Sequence, residues 1–117
     1  MRAIRLADML DSISFQRVYS TDYNRTRETV APLAERKNIQ ISIYDPRDNN
    51  FIPNVLNEFM SKEEVCILIS GHSNTIPSII NFLTGGNYKN FDDNDYGNLV
   101  IIDVPQRGKP DVLWLRY

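Results

Sequence analysis

The stretch VCILISGHSNTIPSIINFLTGG, residues 65–86, is the part of the sequence that decides the fold. Its first six residues, VCILIS, form a largely apolar run of the length expected for a strand that is buried on both faces. Gly71 turns the chain, and a helical pattern follows over residues 73–83, closed by Gly85 and Gly86. A buried strand that leads at once into a helix is typical of a parallel sheet covered by helices.

Helical and strand patterns alternate along the rest of the chain. The predicted helices cover residues 4–13, 22–37, 52–60 and 73–83, and the predicted strands cover residues 16–20, 39–44, 65–70, 99–104 and 111–116. Residues 106–109 are expected to form the turn between the last two strands. This order predicts one α/β domain over residues 1–117, a three-layer α/β/α sandwich with a mostly parallel sheet and an antiparallel C-terminal hairpin.

The first two helices carry more specific signals. In the first helix, apolar residues fall at roughly helical spacing, with charged residues between them: Ile4, Leu6, Ala7, Leu10 and Ile13. The second helix is expected to be capped by Ser20, Thr21 or Asp22, because each offers a side-chain oxygen to the amides of the first turn. Pro32 lies inside this helix and is expected to kink it.

Composition excludes several classes of protein. The 117 residues carry a net charge of −2, which argues against a broad nucleic-acid surface. No apolar run approaches the roughly 20 residues of a membrane helix, so no membrane partner is expected. The single cysteine, Cys66, lies in the apolar run and is expected to be a small, inert, buried side chain in a reducing compartment, which favours the cytoplasm.

Two turns carry the candidate site residues. Ligands of open α/β sheets bind beyond the carboxyl ends of the strands, and the turns there are residues 20–29 and 71–75. Arg25 is a candidate phosphate clamp, because a guanidinium donates two parallel hydrogen bonds to phosphate oxygens. His72 is a candidate donor to the same oxygens. The alternatives are that Arg25 pairs with Glu28 or Thr29, and that His72 has a structural role.

The acidic segment near the C-terminus is more typical of a solvated loop than of a metal site. Asp92, Asp93 and Asp95 lack the glycine and the distal glutamate of a calcium-binding loop. No metal and no cofactor are therefore expected.

The segments STDYNRTRETVAPLAE, residues 20–35, and GHSNTIPSIINFLTG, residues 71–85, resemble motifs of the histidine phosphatase superfamily, which has the phosphoglycerate mutase-like fold. Residues 92–104 are similar to the closing strand region of small bacterial members. The resemblance implies a phosphate site formed by Arg25, His72, Ser20 and Ser73, with His72 as the second active-site histidine. It also implies phosphomonoester hydrolysis through a phosphohistidine, without metal or cofactor. Asp45 and Asp48 are candidates for the general acid.

The chain departs from this family at its N-terminus. Family members begin with a strand that ends in Arg-His-Gly or Arg-His-Ala, and that histidine is the nucleophile. Here the single histidine matches the other position. We expect the family's first strand to be missing, and we expect no phosphatase turnover from this polypeptide alone. Three explanations stay open: a biological start upstream of Met1, a non-catalytic pseudophosphatase that binds phosphate or a phosphorylated small molecule, and an association module.

The missing strand also affects the sheet. In the family it lies between the strands that correspond to residues 65–70 and 99–104. Those two strands pair directly, or a second chain fills the place as in a homodimer, or one edge stays unpaired. Direct pairing or dimerisation is expected, because unsatisfied ladder bonds are costly when buried.

Overall fold

The computed structural model describes residues 2–59, 66–72, 74–89, 98–103 and 111–116, and the chain separates into two compact units, Met1–Gly71 and His72–Tyr117. The first unit contains α1 (Arg2–Met9), β1 (Arg17–Ser20), α2 (Asn24–Lys37), β2 (Ile41–Ile43), α3 (Phe51–Phe59) and β3 (Ile67–Ser70). The second unit contains α4 (Thr75–Thr84), β4 (Asn98–Asp103) and β5 (Asp111–Arg116). Over the described residues, the predicted order of elements is confirmed.

The first unit is built on a three-stranded parallel sheet in the order β2-β1-β3. The central strand β1 aligns Val18 with Ile41 on one side and with Leu68 on the other. Val18 has no exposed surface, as expected for the middle of a covered sheet. The α/β class and the parallel pairing predicted from the sequence are therefore confirmed.

Helices cover both faces of this sheet. Successive side chains of a strand point to opposite faces, so Tyr19 and Ser20 face different layers. Tyr19 packs with Tyr44 and with Val55 and Phe59 of α3 in one apolar cluster. On the other face, α2 covers the strand ends. The Ser70 hydroxyl donates there to the backbone carbonyl of Thr26, in the first turn of α2. The first unit is thus a three-layer arrangement with α3 and α2 on opposite faces.

The last two strands form a sheet of their own. β4 and β5 pair antiparallel, from Asn98 opposite Arg116 to Asp103 opposite Asp111. The predicted hairpin within a single, mostly parallel sheet is not supported, because these strands are separate from the β2-β1-β3 sheet. Pairing of β3 with β4 is likewise not found among the described strands, where β3 pairs with β1. The predicted turn at residues 106–109 lies outside the described residues.

The helix α1 packs against α2 through a narrow apolar stripe. Its buried residues follow the i, i+3, i+4, i+7 spacing of one helix face: Ala3, Leu6, Ala7 and Leu10. Ile4 is 44% exposed, because its position falls outside that stripe. At the rim, Arg36 of α2 forms an ion pair with Asp8 at 2.6 Å.

The ends of α2 differ from the sequence-based expectation. Its N-cap residue is Tyr23, which makes no side-chain capping bond, so capping by Ser20, Thr21 or Asp22 is wrong. The helix continues through Pro32, and the expected kink stays a prediction. At the other end, Asn38 adopts the left-handed conformation with φ of 54°, and the next amide, that of Ile39, donates to the carbonyl of Ala34 at 2.9 Å.

No helix within the described ranges has both the length and the apolar character that a membrane crossing requires.

Candidate functional site

Four buried hydroxyl groups lie where the carboxyl ends of β1 and β3 meet the start of α2. Ser20 and Ser70 are aligned across the two strands. Thr21 follows β1 directly, and Thr26 lies in the first turn of α2. Ser20 and Thr21 have no exposed surface, Thr26 is 3% exposed and Ser70 is 9% exposed. We call these four residues the hydroxyl cluster.

The hydroxyl cluster ties the start of α2 to the strand ends. The Thr26 hydroxyl lies 2.8 Å from the Thr21 hydroxyl and within donating distance of the Thr21 carbonyl, at 3.1 Å, and of the Tyr23 carbonyl, at 3.0 Å. The Ser70 hydroxyl donates to the Thr26 carbonyl at 2.9 Å. Buried polar groups are held firmly only when they are paired. The cluster therefore sets the position of the first turn of α2.

Arg25 lies in this anchored turn. It is the second residue of α2, and it is exposed. Helical backbone bonding begins with the amide of Arg27, which donates to the Tyr23 carbonyl at 3.1 Å. The amides that precede it point toward the N-terminal end of the helix, where the helix dipole is positive. Arg25 therefore stands where an anion is favoured.

A neighbouring arginine makes the surface ion pair of this turn. Arg27 donates to Asp22 at 2.5 Å and to the side chain of Asn24 at 2.6 Å. The Thr29 hydroxyl donates to the backbone carbonyl of Arg25 at 2.9 Å, which is a bond within the helix.

Ser20 is one of the phosphate ligands that the resemblance implied. Its side chain is fully buried and its hydroxyl donates to the Thr21 carbonyl at 2.9 Å. In this conformation the side chain supports the turn and presents no surface to a ligand from solvent.

His72 belongs to the second unit, at the turn that leads into α4. The residue is half-buried, and its backbone amide donates to the Thr75 hydroxyl at 2.8 Å. Its carbonyl accepts the amide of Ile76 at 3.1 Å. The backbone of His72 is thus fixed by the start of α4. Ser73, the other predicted phosphate ligand of this turn, lies outside the described residues, as do Asp92, Asp93 and Asp95.

Asp45 and Asp48 lie on the segment between β2 and α3, and both are exposed. The backbone amide of Arg47 donates to Asp45 at 2.9 Å, and this bond, together with the Arg47 guanidinium, lowers the pKa of Asp45. Asp48 accepts the backbone amide of Asn50 at 2.9 Å.

A cavity of about 300 Å³ opens beside these two carboxylates. Aromatic rings of Tyr19, Tyr44 and Phe51 form part of its lining. Tyr44 is 6% exposed, and burial raises the pKa of its phenol to about 12. The sequence analysis missed this cavity. The only local signal for the cavity in the sequence was a tyrosine near the end of each of two strands, Tyr19 and Tyr44.

Cys66 precedes β3 and is a half-buried free thiol. Burial raises the pKa of this thiol, so it stays protonated and poorly nucleophilic at neutral pH. The raised pKa agrees with the prediction that this cysteine is inert, although its side chain is less buried than expected.

The described residues define the class of protein. It is a small α/β fold with a parallel sheet and with an arginine at the anchored start of a helix. Residues 1–47 match the family model of the histidine phosphatase superfamily (branch 1). This match supports the assignment of the chain to that superfamily. It covers α1, β1, α2 and β2, and so includes Arg25 and the Thr21–Thr26 part of the hydroxyl cluster, but it ends before Asp48 and His72. A search of curated proteins found no match to the chain.

Proposed function

We propose that this chain is a phosphate-binding domain of the histidine phosphatase superfamily, with Arg25 as the principal anion ligand. The observation that carries the proposal is the anchored first turn of α2, which holds Arg25 at the carboxyl end of the parallel sheet. The family match over residues 1–47 contains this turn. A phosphate or a phosphorylated small molecule is the proposed ligand.

The chemistry of the turn suits a phosphate. First-turn amides and the helix dipole favour an anion, and a guanidinium forms paired hydrogen bonds with two phosphate oxygens. Because the buried hydroxyls already hold the turn, little conformational entropy is lost on binding. In this proposal Ser20 acts by supporting the turn.

His72 and Ser73 are proposed as further phosphate ligands from the second motif. The support is in the sequence, where the motif Gly-His-Ser of residues 71–73 directly follows the apolar run of residues 65–70. A histidine at this position would donate to a phosphate oxygen and stabilise the negative charge of the transferring group.

We further propose that residues 1–117 alone do not hydrolyse phosphomonoesters by the family reaction. That reaction needs a nucleophilic histidine in line with the leaving oxygen as well as a second histidine, and this sequence contains one histidine. The alternative function is therefore a pseudophosphatase or an association module. Asp45 and Asp48 stay candidate general acids for any catalytic form.

Phosphate titration followed by calorimetry and thermal melting tests the binding proposal. We expect stabilisation by phosphate and vanadate, and a loss of affinity of about tenfold or more in Arg25→Gln, because charge-assisted bonds contribute roughly 1.5–3 kcal/mol. Arg27→Gln is the matched control, since it removes the same charge from the same turn, and it should retain most of the affinity. Equal loss in both variants would show that only net charge matters.

A phosphatase assay separates the catalytic alternatives. With p-nitrophenyl phosphate, residues 1–117 should give no turnover above that of a His72→Gln variant. Turnover that depends on His72 would contradict the proposed inactivity and would leave phosphate binding intact.

Two further proposals concern the oligomeric state and the cellular location of the protein. We propose a homodimer in which a second copy pairs along β3, since β3 is the end strand of the described three-stranded sheet. Light scattering coupled to gel filtration measures the oligomeric state directly, and a monomeric mass would refute the homodimer.

We also propose a cytoplasmic location, which the single free thiol of Cys66 supports.

A further inference from the structure

The cavity of about 300 Å³ in the first unit lies apart from the hydroxyl cluster. It contacts Tyr19, whereas the cluster contains Ser20, and adjacent residues of a strand face opposite sides of a sheet. Its volume is at the lower end of the range for small-molecule sites, which begins at roughly 300 Å³. None of the proposed phosphate ligands lines the cavity, although the two candidate general acids, Asp45 and Asp48, do.

Three aromatic rings form one wall of this cavity. The rings of Tyr44 and Phe51 stack with centroids 4.2 Å apart and an interplanar angle of 8°. Tyr19 meets Phe51 edge to face, with centroids 5.0 Å apart. The Tyr44 hydroxyl donates to the Ser70 carbonyl at 3.1 Å, and the Tyr19 hydroxyl accepts from Arg17 at 3.3 Å. These bonds hold the rings in place, so the apolar wall is preformed.

The lining also contains three carboxylates, beside the uncharged residues Ile43, Asn54 and Val55. Asp45, Asp48 and Glu58 line the cavity, and no lysine, arginine or histidine of the described chain does so. Arg17 binds Glu58 at 2.8 Å and Arg47 binds Asp45 at 3.4 Å. Among the described residues, no ion pair reaches Asp48, whose carboxylate accepts a backbone amide. Two of the three carboxylates are thus paired with an arginine, and Asp48 supplies the negative charge that a cation in the cavity would meet.

From this combination we infer that the cavity binds a small organic cation, an ammonium group carried on a short alkyl chain. The volume of the cavity and the fixed aromatic wall accept the alkyl part. The carboxylates, Asp48 above all, accept hydrogen bonds from the ammonium group. Aromatic rings add attraction for a nearby cation through their electron-rich faces. Neither an anion nor a neutral alkyl group meets both requirements.

The test compares 3-methylbutylammonium with its neutral isostere 3-methylbutanol, by calorimetry and amide NMR shifts at low ionic strength. We expect the ammonium ion to bind with a Kd of about 1–10 mM and the alcohol to bind about tenfold more weakly. Shifts should fall on the residues that line the cavity. Equal binding of the two probes, or no binding of the ammonium ion at concentrations of about 10 mM, would overturn the inference.

Variants locate the binding. Asp48→Asn keeps the oxygen that accepts the Asn50 amide and removes the charge, so affinity for the ammonium ion should fall about threefold to fivefold. The control is Asp8→Asn, which removes one exposed carboxylate from α1, away from the cavity lining, and should leave affinity within about twofold. Equal effects of the two variants would refute specific binding. Arg25→Gln should leave ammonium binding unchanged, so the phosphate proposal is tested separately.

Discussion

Replacement of Thr26 by valine tests whether the hydroxyl cluster holds the start of α2. Valine has nearly the same shape, so the change removes the hydroxyl that lies 2.8 Å from the Thr21 hydroxyl and leaves packing largely intact. The carbonyls of Thr21 and Tyr23 keep other donors, namely the Ser20 hydroxyl and the Arg27 amide. The main effect is therefore the loss of the hydrogen bond between the Thr21 and Thr26 hydroxyls.

The size of the effect follows from that count. The hydrogen bonds of the Thr26 hydroxyl contribute roughly 0.5–1.5 kcal/mol each, and because the carbonyls stay satisfied we expect their loss to cost about 1–2 kcal/mol in all. For a domain of 117 residues, this corresponds to a fall in Tm of roughly 4–8 °C. Thr29→Val is the matched control, since Thr29 makes one hydrogen bond within the helix and lies one turn further along.

Urea denaturation of the two variants gives the comparison, with phosphate affinity as a second measurement. Thr26→Val should lower both the free energy of unfolding and the affinity for phosphate, because the turn that carries Arg25 is loosened. If Thr29→Val costs as much as Thr26→Val, the cluster does not have the anchoring role argued above.

Two more predictions concern single groups. The pKa of the Tyr44 phenol, about 12 in the folded chain, lies above the unfolded value of 10.0, so its contribution to stability is present below pH 10 and is lost as the pH rises toward 12. Denaturation curves across this range should show a steeper decline for the wild type than for Tyr44→Phe, and parallel declines would refute the buried phenol. Asn38 has φ of 54°, so Asn38→Gly should stabilise the chain by about 0.5 kcal/mol and Asn38→Ala should destabilise it by about 1 kcal/mol. Thermal melting distinguishes these outcomes, and an alanine variant at least as stable as the glycine variant would contradict the left-handed conformation.

The sequence predicted the order of the elements because their signals are local. The apolar run before Gly71 and the helical spacing of residues 22–37 depend on neighbours a few positions apart. The turn that carries Arg25 was identified in the same way, from a short motif that also lies within the family match. Pairing within the parallel sheet followed from the alternation of strands and helices.

Local signals failed where the decisive contacts lie far apart in the chain. Nothing near Thr26 in the sequence shows that its carbonyl accepts the hydroxyl of Ser70, 44 positions away, or that Ser20 is buried rather than exposed to a ligand. The capping prediction failed for a related reason, since the Thr21 side chain bonds to Thr26 instead of a free amide.

The sequence by itself determined the α/β class, the parallel strands and the arginine at the start of α2. Only the tertiary structure decided that β4 and β5 form their own sheet, and that Tyr19, Tyr44 and Phe51 meet beside three carboxylates. The physical reason is that periodicity records which face of an element is apolar, whereas a cavity depends on which faces of distant elements are brought together.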